Sequence, residues 1–386
     1  MTVLMSIAAL AWLWLLFNRG MFWRIDVLPV AAELADWPEI VAIIPARNEA
    51  AGIAETVRSL LTQNYPGTLS VIVTDDHSDD GTAGLAYAAA LDLEATDRLT
   101  VISAPDLPSG WSGKMWAQQQ GVKEAVTRHP TATLWLLTDA DIHHGQDQLR
   151  QMVARLEIEK LDLASLMVRL STESWIEKAV IPAFIFFFRL LYPFRWVSDQ
   201  KRKTAGAAGG YMLIRRSTLE KIGGLESIRQ ALIDDCSLAR EVKRAGGALA
   251  LDLADQTYSL RRYEDAPEVW MMIARSAYTQ LDHSPLLLSG TVLAMIVGFL
   301  LPPVVAVAGG AGWVPAMVAW GAMSIAYLPM LRYHRLPLSL APLLPLVALF
   351  YLGATIDSAR RHWQGRGGEW KGRAQAHHPA AAVEKE

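Results

Sequence analysis

A long stretch without charged residues limits what this chain can fold into more than any other feature. From Ser284 to Leu331 there are 48 consecutive residues without Asp, Glu, Lys or Arg. Because a membrane-spanning helix needs about 20 apolar residues, this stretch predicts two such helices, joined at Gly309-Gly310-Ala311-Gly312. Another uncharged stretch, Leu336–Ile356, is long enough for a third. We therefore predict an integral membrane protein whose C-terminal membrane region, residues 284–356, contains two or three hydrophobic segments.

The N-terminus is also apolar, from Met1 to Phe17. It lacks the basic start and the clear cleavage site of a secretory signal peptide, so we interpret residues 1–20 as an uncleaved membrane anchor, with a cleaved signal peptide as the alternative. Arg19 and Arg24 follow directly, and by the positive-inside rule they place the next part of the chain in the cytoplasm. The single cysteine, Cys236, fits a reducing compartment.

The side of the membrane that holds the C-terminus depends on the number of spans. A cytoplasmic domain followed by three spans would place the basic tail, residues 357–386, outside, against the charge rule. The segment from Leu338 contains Pro342 and Pro345 and could be re-entrant instead. We favour a cytoplasmic, partly disordered tail.

Strand-like and helix-like patterns alternate between the first apolar segment and Ser284. The predicted strands are Ile40–Ile44, Leu69–Thr74, Leu99–Ser103 and Thr133–Thr138, and the predicted helices are Glu49–Gln63 and a segment near Lys114–Val126. This alternation predicts an α/β domain with a mostly parallel sheet, which binds its ligands at the carboxyl ends of the strands. The net charge of -3 gives no reason to expect nucleic-acid binding.

Residues 175–197 form a separate aromatic segment with nearby cations. Only ten residues, Ala179–Phe188, separate Lys178 from Arg189, which is too few to span a membrane. Aromatic side chains with flanking cations suit a helix that lies in the lipid headgroup region. We interpret the segment as an interfacial helix, and a buried core helix is the alternative.

Four polar clusters follow the predicted strands or begin a helix. They are Pro45-Ala46-Arg47-Asn48-Glu49, Asp75-Asp76, Asp139-Ala140-Asp141 and Asp234-Asp235. Mg²⁺ and Mn²⁺ often bind one or two carboxylates together with substrate phosphates, which suits Asp139 and Asp141; a solvated turn is the alternative. Asp75 and Asp76 could accept hydrogen bonds from a base or a ribose, whereas we interpret Asp79 and Asp80 as helix caps.

Two further residues could take part in phosphate and proton chemistry. Lys114 precedes a predicted helix in Ser112-Gly113-Lys114, where a cation and backbone N–H groups could bind phosphate. When an alcohol attacks and a diphosphate departs, one group must take the hydroxyl proton, and Asp235 is the candidate base. A metal-stabilised diphosphate needs no general acid, so one carboxylate suffices. Helix capping by Asp234 or Asp235 is the alternative reading.

Taken in order, these clusters resemble the family 2 glycosyltransferases of the GT-A fold. Pro45–Glu49 resembles the family's Pro-x-x-Asn-Glu, and Val73–Thr82 resembles its Val-Asp-Asp-Gly-Ser-x-Asp-Gly-Thr. Gly209–Arg216 follows in family order, and Asp234–Leu238 stands where the family has Glu-Asp-x-x-Leu. The resemblance implies a GT-A (Rossmann-like) glycosyltransferase domain, which we place at residues 37–265.

The resemblance also implies a role for each matching residue. Donor binding would fall to Pro45, Arg47, Glu49, Asp75, Asp76, Lys114 and Asp139; the metal, Mg²⁺ or Mn²⁺, to Asp141 and Asp139; catalysis to Asp235; and the acceptor side to Gly209, Gly210 and Asp234. Asp234 departs from the family's usual Glu, which shortens the side chain and keeps the charge.

Gly110–Lys114 and Arg261-Arg262-Tyr263 resemble the hopene-associated branch of this family. The resemblance implies inverting transfer of a single sugar from a nucleotide-diphospho-sugar, with a UDP-sugar expected. The membrane segments and the aromatic-basic segment favour a membrane lipid hydroxyl as the acceptor, in hopanoid or glycolipid metabolism. The apolar segments and the positive-inside rule predict the bacterial cytoplasmic (inner) membrane, with a multi-pass chain and a cytoplasmic catalytic domain. The alternative is a catalytically silent membrane scaffold that binds a nucleotide-sugar or a lipid. A processive polysaccharide synthase is less expected, since its Gln-x-x-Arg-Trp element is absent.

Overall fold

The computed structural model describes residues 1–26, 33–366, 369–370 and 373–374. The chain divides into two compact units. The first, which we call the helical unit, is formed by Met1–Val27, Leu170–Thr204 and Arg262–Gly367; the second, the sheet unit, is formed by Leu28–Arg169, Ala205–Arg261 and Gly368–Glu386.

Helices and strands alternate along the first half of the chain, and the second half is mostly helical. The helices are α1 (Thr2–Asn18), α2 (Ile53–Leu61), α3 (Thr82–Leu91), α4 (Gly113–Arg128), α5 (Gln148–Ile158), α6 (Trp175–Leu191), α7 (Phe194–Ser198), α8 (Arg216–Lys221), α9 (Asp234–Arg244), α10 (Ala266–Ala274), α11 (Pro285–Met295), α12 (Leu301–Ala308), α13 (Trp313–Tyr333) and α14 (Leu344–Trp363). The strands are β1 (Ile40–Ala46), β2 (Leu69–Asp75), β3 (Leu99–Ser103), β4 (Leu134–Leu137), β5 (Ile142–His143), β6 (Leu163–Arg169), β7 (Met212–Arg215), β8 (Leu249–Ser259), β9 (Glu369–Trp370) and β10 (Arg373–Ala374).

The sheet unit is built on one eight-stranded mixed sheet with the order β3-β2-β1-β4-β7-β6-β8-β5. Strands β3, β2, β1 and β4 run parallel to one another, as do β6 and β8. The short strand β7 is antiparallel to both β4 and β6, and β5 is antiparallel to β8. The predicted α/β class and its parallel core are therefore confirmed, with antiparallel pairs added on one side of β4.

The parallel half of the sheet is fully buried, which explains its sequence. Every residue of β1, β2 and β4 is buried, and continuous apolar runs are typical of strands covered on both faces. Helix α4 lies close against this sheet at Gly121, where an added Cβ would lie 2.6 Å from Ile43 Cγ2. The predicted strands and the helix near Lys114–Val126 are confirmed.

Helix α2 begins four residues later than predicted, at Ile53 instead of Glu49. The residues before it form a turn. The Glu49 amide N donates to Thr82 Oγ1 at the start of α3, and the Ala50 amide N donates to Asp80 Oδ2 in the loop after β2, instead of starting a helix. The apolar face that the sequence predicted is present, with Val57 and Leu60 fully buried.

Within the part of the chain that the structure describes, the helical unit contains four helices that are long and apolar enough to cross a membrane. These are Trp175–Ser198, Pro285–Ala308, Trp313–Tyr333 and Leu338–Trp363. The three C-terminal helices confirm the hydrophobic segments predicted within residues 284–356, and the glycine-rich turn at 309–312 separates α12 from α13. Helix α1 is apolar but shorter, so the N-terminal anchor stays a prediction, as does the topology of all these segments.

Helix α6 belongs to the helical unit, whereas the sequence placed it inside one continuous domain of residues 37–265. Its aromatic side chains pack on later helices: the Phe186 ring lies 5.3 Å from that of Tyr327, and the Phe187 ring lies 4.9 Å from that of Tyr351. An apolar helix finds its most extensive burial against other apolar helices, which accounts for this placement. The helix Trp175–Ser198 is long and apolar enough to cross a membrane, so the prediction that this segment is too short to span was wrong, because the helix extends beyond the charges at Lys178 and Arg189. The interfacial position of the segment stays a prediction.

Helix α14 continues through Trp363, seven residues into the segment predicted to be a partly disordered tail. Beyond residue 366 only the short antiparallel pair β9 and β10 is described. The rest of the predicted tail lies outside the described residues.

Candidate active site

Three of the four polar clusters predicted from the sequence lie at the carboxyl ends of neighbouring strands, and the fourth, Asp234-Asp235, begins α9. Strand β1 pairs in parallel with both β2 and β4. Arg47 therefore follows β1 at the same edge where Asp75 ends β2 and Asp139 follows β4. The parallel arrangement brings three separate parts of the sequence to one edge of the sheet, as expected for an α/β domain.

Side-chain hydrogen bonds join the loop after β1 to the loop after β2. The Asn48 amide N donates to Ser78 Oγ at 2.9 Å, and the Ala50 amide N donates to Asp80 Oδ2 at 2.9 Å. Asp80 Oδ1 also accepts from the Thr82 amide N at 3.0 Å. Asp80 is thus used within the protein, in agreement with its predicted structural role.

Asp75, Asp76 and Arg47 form the part of the site at the ends of β1 and β2. Asp76 is fully buried, and its Oδ2 lies 3.6 Å from Arg47 Nη1. Asp75 is nearly buried; its Oδ2 accepts from the Ser78 amide N at 3.3 Å, and its Oδ1 has no hydrogen-bond donor among the described residues. A buried carboxylate oxygen without a donor is costly, so Asp75 Oδ1 is suited to accept from a ligand N–H or hydroxyl group.

Pro45 and Glu49, two of the predicted donor-binding residues, differ in their surroundings. Pro45 lies inside β1, is buried, and pairs in register with Thr74, so its side chain belongs to the sheet core. Glu49 lies in the turn before α2, and its charge acts on the carboxylate of Asp141. The predicted roles of both residues in donor binding stay predictions.

Lys114 joins two carboxylates that are far apart in the sequence. Its Nζ lies 2.8 Å from Asp139 Oδ1 and 3.0 Å from Asp234 Oδ2. Lys114 is the second residue of α4, whose N-cap Ser112 accepts from the Met115 amide N. Burial lowers the pKa of Lys114, but the two carboxylates outweigh this effect and raise it overall. The ammonium group is therefore fully charged at neutral pH.

The Asp139-Ala140-Asp141 turn is held by Thr56 of α2. Thr56 Oγ1 donates to Ala140 O at 2.8 Å and accepts from the Ile142 amide N at 3.1 Å. Burial raises the pKa of Asp141 to about 6, and the negative charges of Asp139 and Glu49 act in the same direction. Negative charge is therefore concentrated around this turn.

Asp235 lies in the first turn of α9 and is fixed by two backbone amides. The Gly209 amide N donates to Asp235 Oδ2 at 2.9 Å, and the Cys236 amide N donates to Asp235 Oδ1 at 2.6 Å. Burial, and after it the neighbouring Asp234 carboxylate, raise the pKa of Asp235 to about 7. A carboxyl group poised near neutrality is suited to general-base chemistry.

Gly209 marks the point where these groups converge. A Cβ atom at this position would lie 3.4 Å from Lys114 Nζ, 3.7 Å from Asp139 Oδ2 and 3.7 Å from Asp235 Oδ2. A side chain here would fill the space between the lysine and the two carboxylates. At Gly210 close packing leaves little room for a larger residue, because an added Cβ would lie 3.0 Å from two Val168 carbon atoms.

The structure also contains a buried contact that the sequence did not predict. Thr138 Oγ1 donates to Gly210 O at 2.7 Å and lies 3.2 Å from His144 Nε2. Because the single hydroxyl proton is used on Gly210 O, His144 Nε2 is the donor in the second contact. Burial lowers the pKa of His144 to about 3, so the ring is neutral. No spacing in the sequence relates these three residues.

Arg261 is another residue whose position was not predicted. The Leu260 amide N donates to Asp141 O at 2.7 Å, so Arg261 follows the point where β8 reaches the carboxylate turn. Its positive charge lowers the pKa of Asp141, opposing burial and the nearby carboxylates. At the level of sequence, Arg261 was noted only as part of the Arg261-Arg262-Tyr263 motif and was not assigned to the site.

The donor atoms at Asp139 and Asp141 fit a hard divalent cation. Both residues offer only carboxylate oxygens, the ligand type that Mg²⁺ and Mn²⁺ prefer, and a dication would relieve the concentrated negative charge. Among the residues that the structure describes, no group of three or more His, Cys, Asp or Glu side chains is arranged as a metal site. Two carboxylates are nevertheless sufficient when substrate phosphates complete the coordination.

Known proteins resemble this chain in sequence and in fold. Residues 41–223 match the family model of glycosyl transferase family 2. The Bacillus subtilis (strain 168) protein named "Probable glycosyltransferase YdaM" is 25% identical over 260 residues, which cover 66% of this chain and 57% of that protein. The chain thus matches little more than half of that relative's length.

The structure is similar to the mannosyltransferase PcManGT from Pyrobaculum calidifontis, which was solved in complex with GDP-Man and Mn²⁺. The similarity has a TM-score of 0.52 and 17% sequence identity, and it covers 92% of this chain and 98% of the other. At this identity the likeness shows the fold alone. It confirms the predicted GT-A fold.

Proposed function

Since residues 41–223 of this chain are a glycosyl transferase family 2 domain, we propose that the protein transfers one sugar from a nucleotide-diphospho-sugar to an alcohol with inversion. The observation that carries the proposal is the convergence at Gly209, where Lys114, Asp139 and Asp235 all lie within 4 Å of one point. This arrangement places a cation, a carboxylate suited to a metal and a candidate base around one small space.

Asp235 is the residue that would accept the proton. Its carboxylate takes the proton from the acceptor hydroxyl as the oxygen attacks the anomeric carbon, and the bond from that carbon to the diphosphate oxygen breaks on the opposite face. A new glycosidic bond forms with inverted configuration, and the proton stays on Asp235 until it is lost to solvent. The hydrogen bonds from the Gly209 and Cys236 amides hold the carboxylate in one orientation during this step.

Lys114 and the Asp139–Asp141 turn would receive the departing diphosphate. The permanently charged Lys114 ammonium, at the start of α4, can bind a phosphate oxygen together with backbone N–H groups. Asp139 and Asp141 would hold Mg²⁺ or Mn²⁺, which when bound neutralises the charge that develops on the leaving group. The ion pair of Lys114 with Asp234 ties this region to the helix that carries Asp235.

The nucleotide would be recognised at the ends of β1 and β2. Asp75 Oδ1 is a buried acceptor without a donor among the described residues, and the buried Asp76 lies beside Arg47. We propose that Asp75 and Asp76 accept hydrogen bonds from the base or the ribose and that Arg47 positions them. A UDP-sugar is the donor we propose; because the similar Pyrobaculum protein was solved with GDP-Man, a GDP-sugar belongs in the same test.

The acceptor that we propose is a membrane lipid hydroxyl, as in hopanoid or glycolipid synthesis. The support is the presence, in the same chain, of four helices long and apolar enough to cross a membrane. Gly209, Gly210 and Asp234 would lie on the acceptor side of the base. We also propose a bacterial cytoplasmic membrane location with the sheet unit in the cytoplasm, because Arg19 and Arg24 follow the apolar α1.

The decisive experiment measures release of nucleoside diphosphate and formation of a glycolipid. The purified full chain would be incubated with Mn²⁺, a panel of UDP- and GDP-sugars and a bacterial lipid extract. We expect nucleoside diphosphate release with one donor, and a new glycolipid by mass spectrometry, from the wild-type chain and from Asp147→Asn, in which an exposed carboxylate is changed. The rate at which both products form should fall by about 10²- to 10⁴-fold in Asp235→Asn. A wild-type chain that releases no nucleoside diphosphate with any donor contradicts the proposal.

A further inference from the structure

Positive charge is concentrated in the helical unit where α1 and α6 end. Residues 19–26 and 192–203 contain six cationic side chains and two carboxylates, Asp26 and Asp199. The cations are Arg19, Arg24, Arg195, Lys201, Arg202 and Lys203, and all except the half-buried Arg19 are exposed. We call these six residues, together with Trp196, the basic cluster. The proposed sugar transfer does not use any of them.

The two segments that form the basic cluster are fixed against each other. Arg19 Nε donates to Leu190 O at 3.1 Å, so α1 is tied to the last turn of α6. Gly20 has a φ of +61°, and an added Cβ there would lie 2.9 Å from both Pro193 and Trp196. Only glycine permits this close approach with that backbone conformation. The segment that carries Arg19 is therefore packed closely against the segment that carries Trp196.

Two guanidinium groups of the basic cluster converge on one indole ring. The Cζ atoms of Arg19 and Arg202 lie 4.8 Å and 4.6 Å from the centre of the Trp196 ring. Arg19 has no carboxylate within ion-pair distance among the described residues, and the Asp199 carboxylate is 3.8 Å from Arg202. Both guanidinium groups thus lie within 5 Å of the same ring, and Asp199 supplies the one carboxylate within 4 Å of either group among the described residues. An anion would stabilise this excess of positive charge.

Exposed apolar surface lies directly beside these cations in the sequence. Phe17, at the end of α1, is 63% exposed, and Leu191, at the end of α6, is 49% exposed. The half-buried Trp23 adds an aromatic ring of the kind that is enriched at membrane–water interfaces. A ligand that has both a phosphate group and acyl chains would use the cations and the apolar residues together, whereas a soluble phosphate would use only the cations.

We propose that the basic cluster binds the phosphate of an anionic phospholipid headgroup, with Arg19 and Arg202 as its main ligands. This site goes beyond the proposed sugar transfer and concerns the surrounding membrane, not the donor or the acceptor. It extends the interfacial interpretation of residues 175–197 from a general position in the headgroup region to recognition of one lipid charge class by named residues.

The test measures lipid binding by the purified full chain in a neutral detergent. Short-chain phosphatidylglycerol, short-chain phosphatidylcholine and inorganic phosphate serve as the probes, and native mass spectrometry counts the bound molecules. We expect saturable binding of phosphatidylglycerol, and weakening by about five-fold or more in Arg202→Gln, since each basic residue near an anionic surface contributes on the order of a five-fold effect. Arg244→Gln, which changes an exposed arginine of the sheet unit, is the matched control and should bind as the wild type does.

Arg19 bonds to backbone carbonyls, so its replacement could disturb folding, and the exposed pair Arg202→Gln/Lys203→Gln provides a second variant. This double variant should weaken phosphatidylglycerol binding further. Equal binding of phosphatidylglycerol and phosphatidylcholine would overturn the proposal. So would inorganic phosphate competing as well as the lipid, or a double variant that binds phosphatidylglycerol as tightly as the Arg244→Gln control. Because none of these measurements involves sugar transfer, an inactive enzyme would not affect the result.

Discussion

The backbone amide of Gly209 donates a hydrogen bond of 2.9 Å to Asp235 Oδ2, although 26 residues separate the two in the chain. This contact fixes one oxygen of the carboxylate, and the Cys236 amide fixes the other. A carboxylate held by two backbone donors has a defined orientation before any acceptor arrives, which is the condition for efficient proton abstraction. The proposed catalytic role of Asp235 depends on this geometry.

Replacement of Asp235 by Asn should remove the base and leave the fold intact. We expect Asp235→Asn to lower kcat by about 10²- to 10⁴-fold, the usual contribution of a general base, while donor affinity changes within a few-fold. Steady-state kinetics and isothermal titration with the donor would measure the two quantities separately. A variant with normal turnover would remove Asp235 from the proposed mechanism, and Asp147→Asn controls for the loss of one negative charge.

The pH dependence of the reaction should follow the ionisation of Asp235. Because burial raises its pKa to about 7, the carboxylate is protonated below that pH and cannot act as a base. We expect kcat/KM to rise about ten-fold per pH unit below pH 6 and to level off above pH 7 to 8. A rate profile that is flat between pH 5 and 8 would contradict the assignment, provided that nucleotide binding is constant over that range.

The raised pKa of Asp235 also makes the stability of the protein depend on pH. The ordinary pKa of Asp is about 3.9, so between pH 4 and 7 the folded protein binds a proton at Asp235 that the unfolded chain has lost. The free energy of unfolding should therefore decrease as the pH rises through this interval. Asp235→Asn should make this dependence weaker, and thermal melts at several pH values would show whether it does.

The parallel half of the sheet could be predicted because its signal is local. The apolar runs of β1, β2 and β4 are buried on both faces, and the polar residues that follow each strand fall at one edge through the parallel pairing. The remaining half has no comparable signal. Strand β7 has only four residues and inserts antiparallel between β4 and β6, a pairing that depends on distant partners.

In the candidate site, too, the individual residues could be predicted from local sequence signals, whereas their contacts could not. The sequence identified Asp139, Lys114 and Asp235 individually, since each lies at the end of a strand or the start of a helix. It could not show that Lys114 bridges Asp139 and Asp234, because this contact depends on how α4 and α9 pack. The sequence also could not show that α6 belongs to the helical unit, because the pattern of a helix shows which face is apolar but not which element covers it.

Loss of the Lys114 ammonium should affect both donor binding and stability. In Lys114→Met the carboxylates of Asp139 and Asp234 lose their shared partner, which should lower the free energy of unfolding by about 1–3 kcal/mol. Donor affinity should fall by about ten-fold or more as a charge-assisted hydrogen bond to phosphate is lost. Thermal melts and donor titration would measure the two effects.

A double variant separates the two roles of Lys114. In Lys114→Met/Asp234→Asn one of the two unpaired charges is removed, so part of the lost stability should return while donor affinity stays low. If the double variant is no more stable than Lys114→Met, the ion pair of 3.0 Å between Lys114 and Asp234 contributes nothing measurable. That outcome would also argue against Lys114 as the link between the diphosphate region and α9.

Metal dependence should be lost when Asp141 is changed. We expect the wild-type chain to bind its donor about ten-fold or more tightly with Mn²⁺ than with EDTA, because Mn²⁺ held by Asp139 and Asp141 would attract the negatively charged diphosphate. Asp141→Asn should bind the donor with nearly equal affinity in both conditions. Asp97→Asn, a change of an aspartate in the turn before β3, is the control and should keep the metal effect. An unchanged metal effect in Asp141→Asn would place the ion elsewhere.

The hydroxyl of Thr138 should position the glycines that hold Asp235. Thr138 Oγ1 donates to Gly210 O and accepts from the neutral His144, and the neighbouring Gly209 amide binds the candidate base. Thr138→Val keeps the side-chain shape but leaves Gly210 O and His144 Nε2 without a partner. We expect it to lower the free energy of unfolding by about 1–3 kcal/mol and kcat by about ten-fold.

Thr138→Ser provides the rescue, because it retains the hydroxyl group and loses only a methyl. It should keep kcat within about two- to three-fold of the wild type, since both hydrogen bonds can form. His144→Gln, whose amide can donate in place of Nε2, should behave like Thr138→Ser, whereas His144→Leu should behave like Thr138→Val. If the valine and serine variants have the same kcat, the hydroxyl does not position the glycines and its hydrogen bonds serve the core alone.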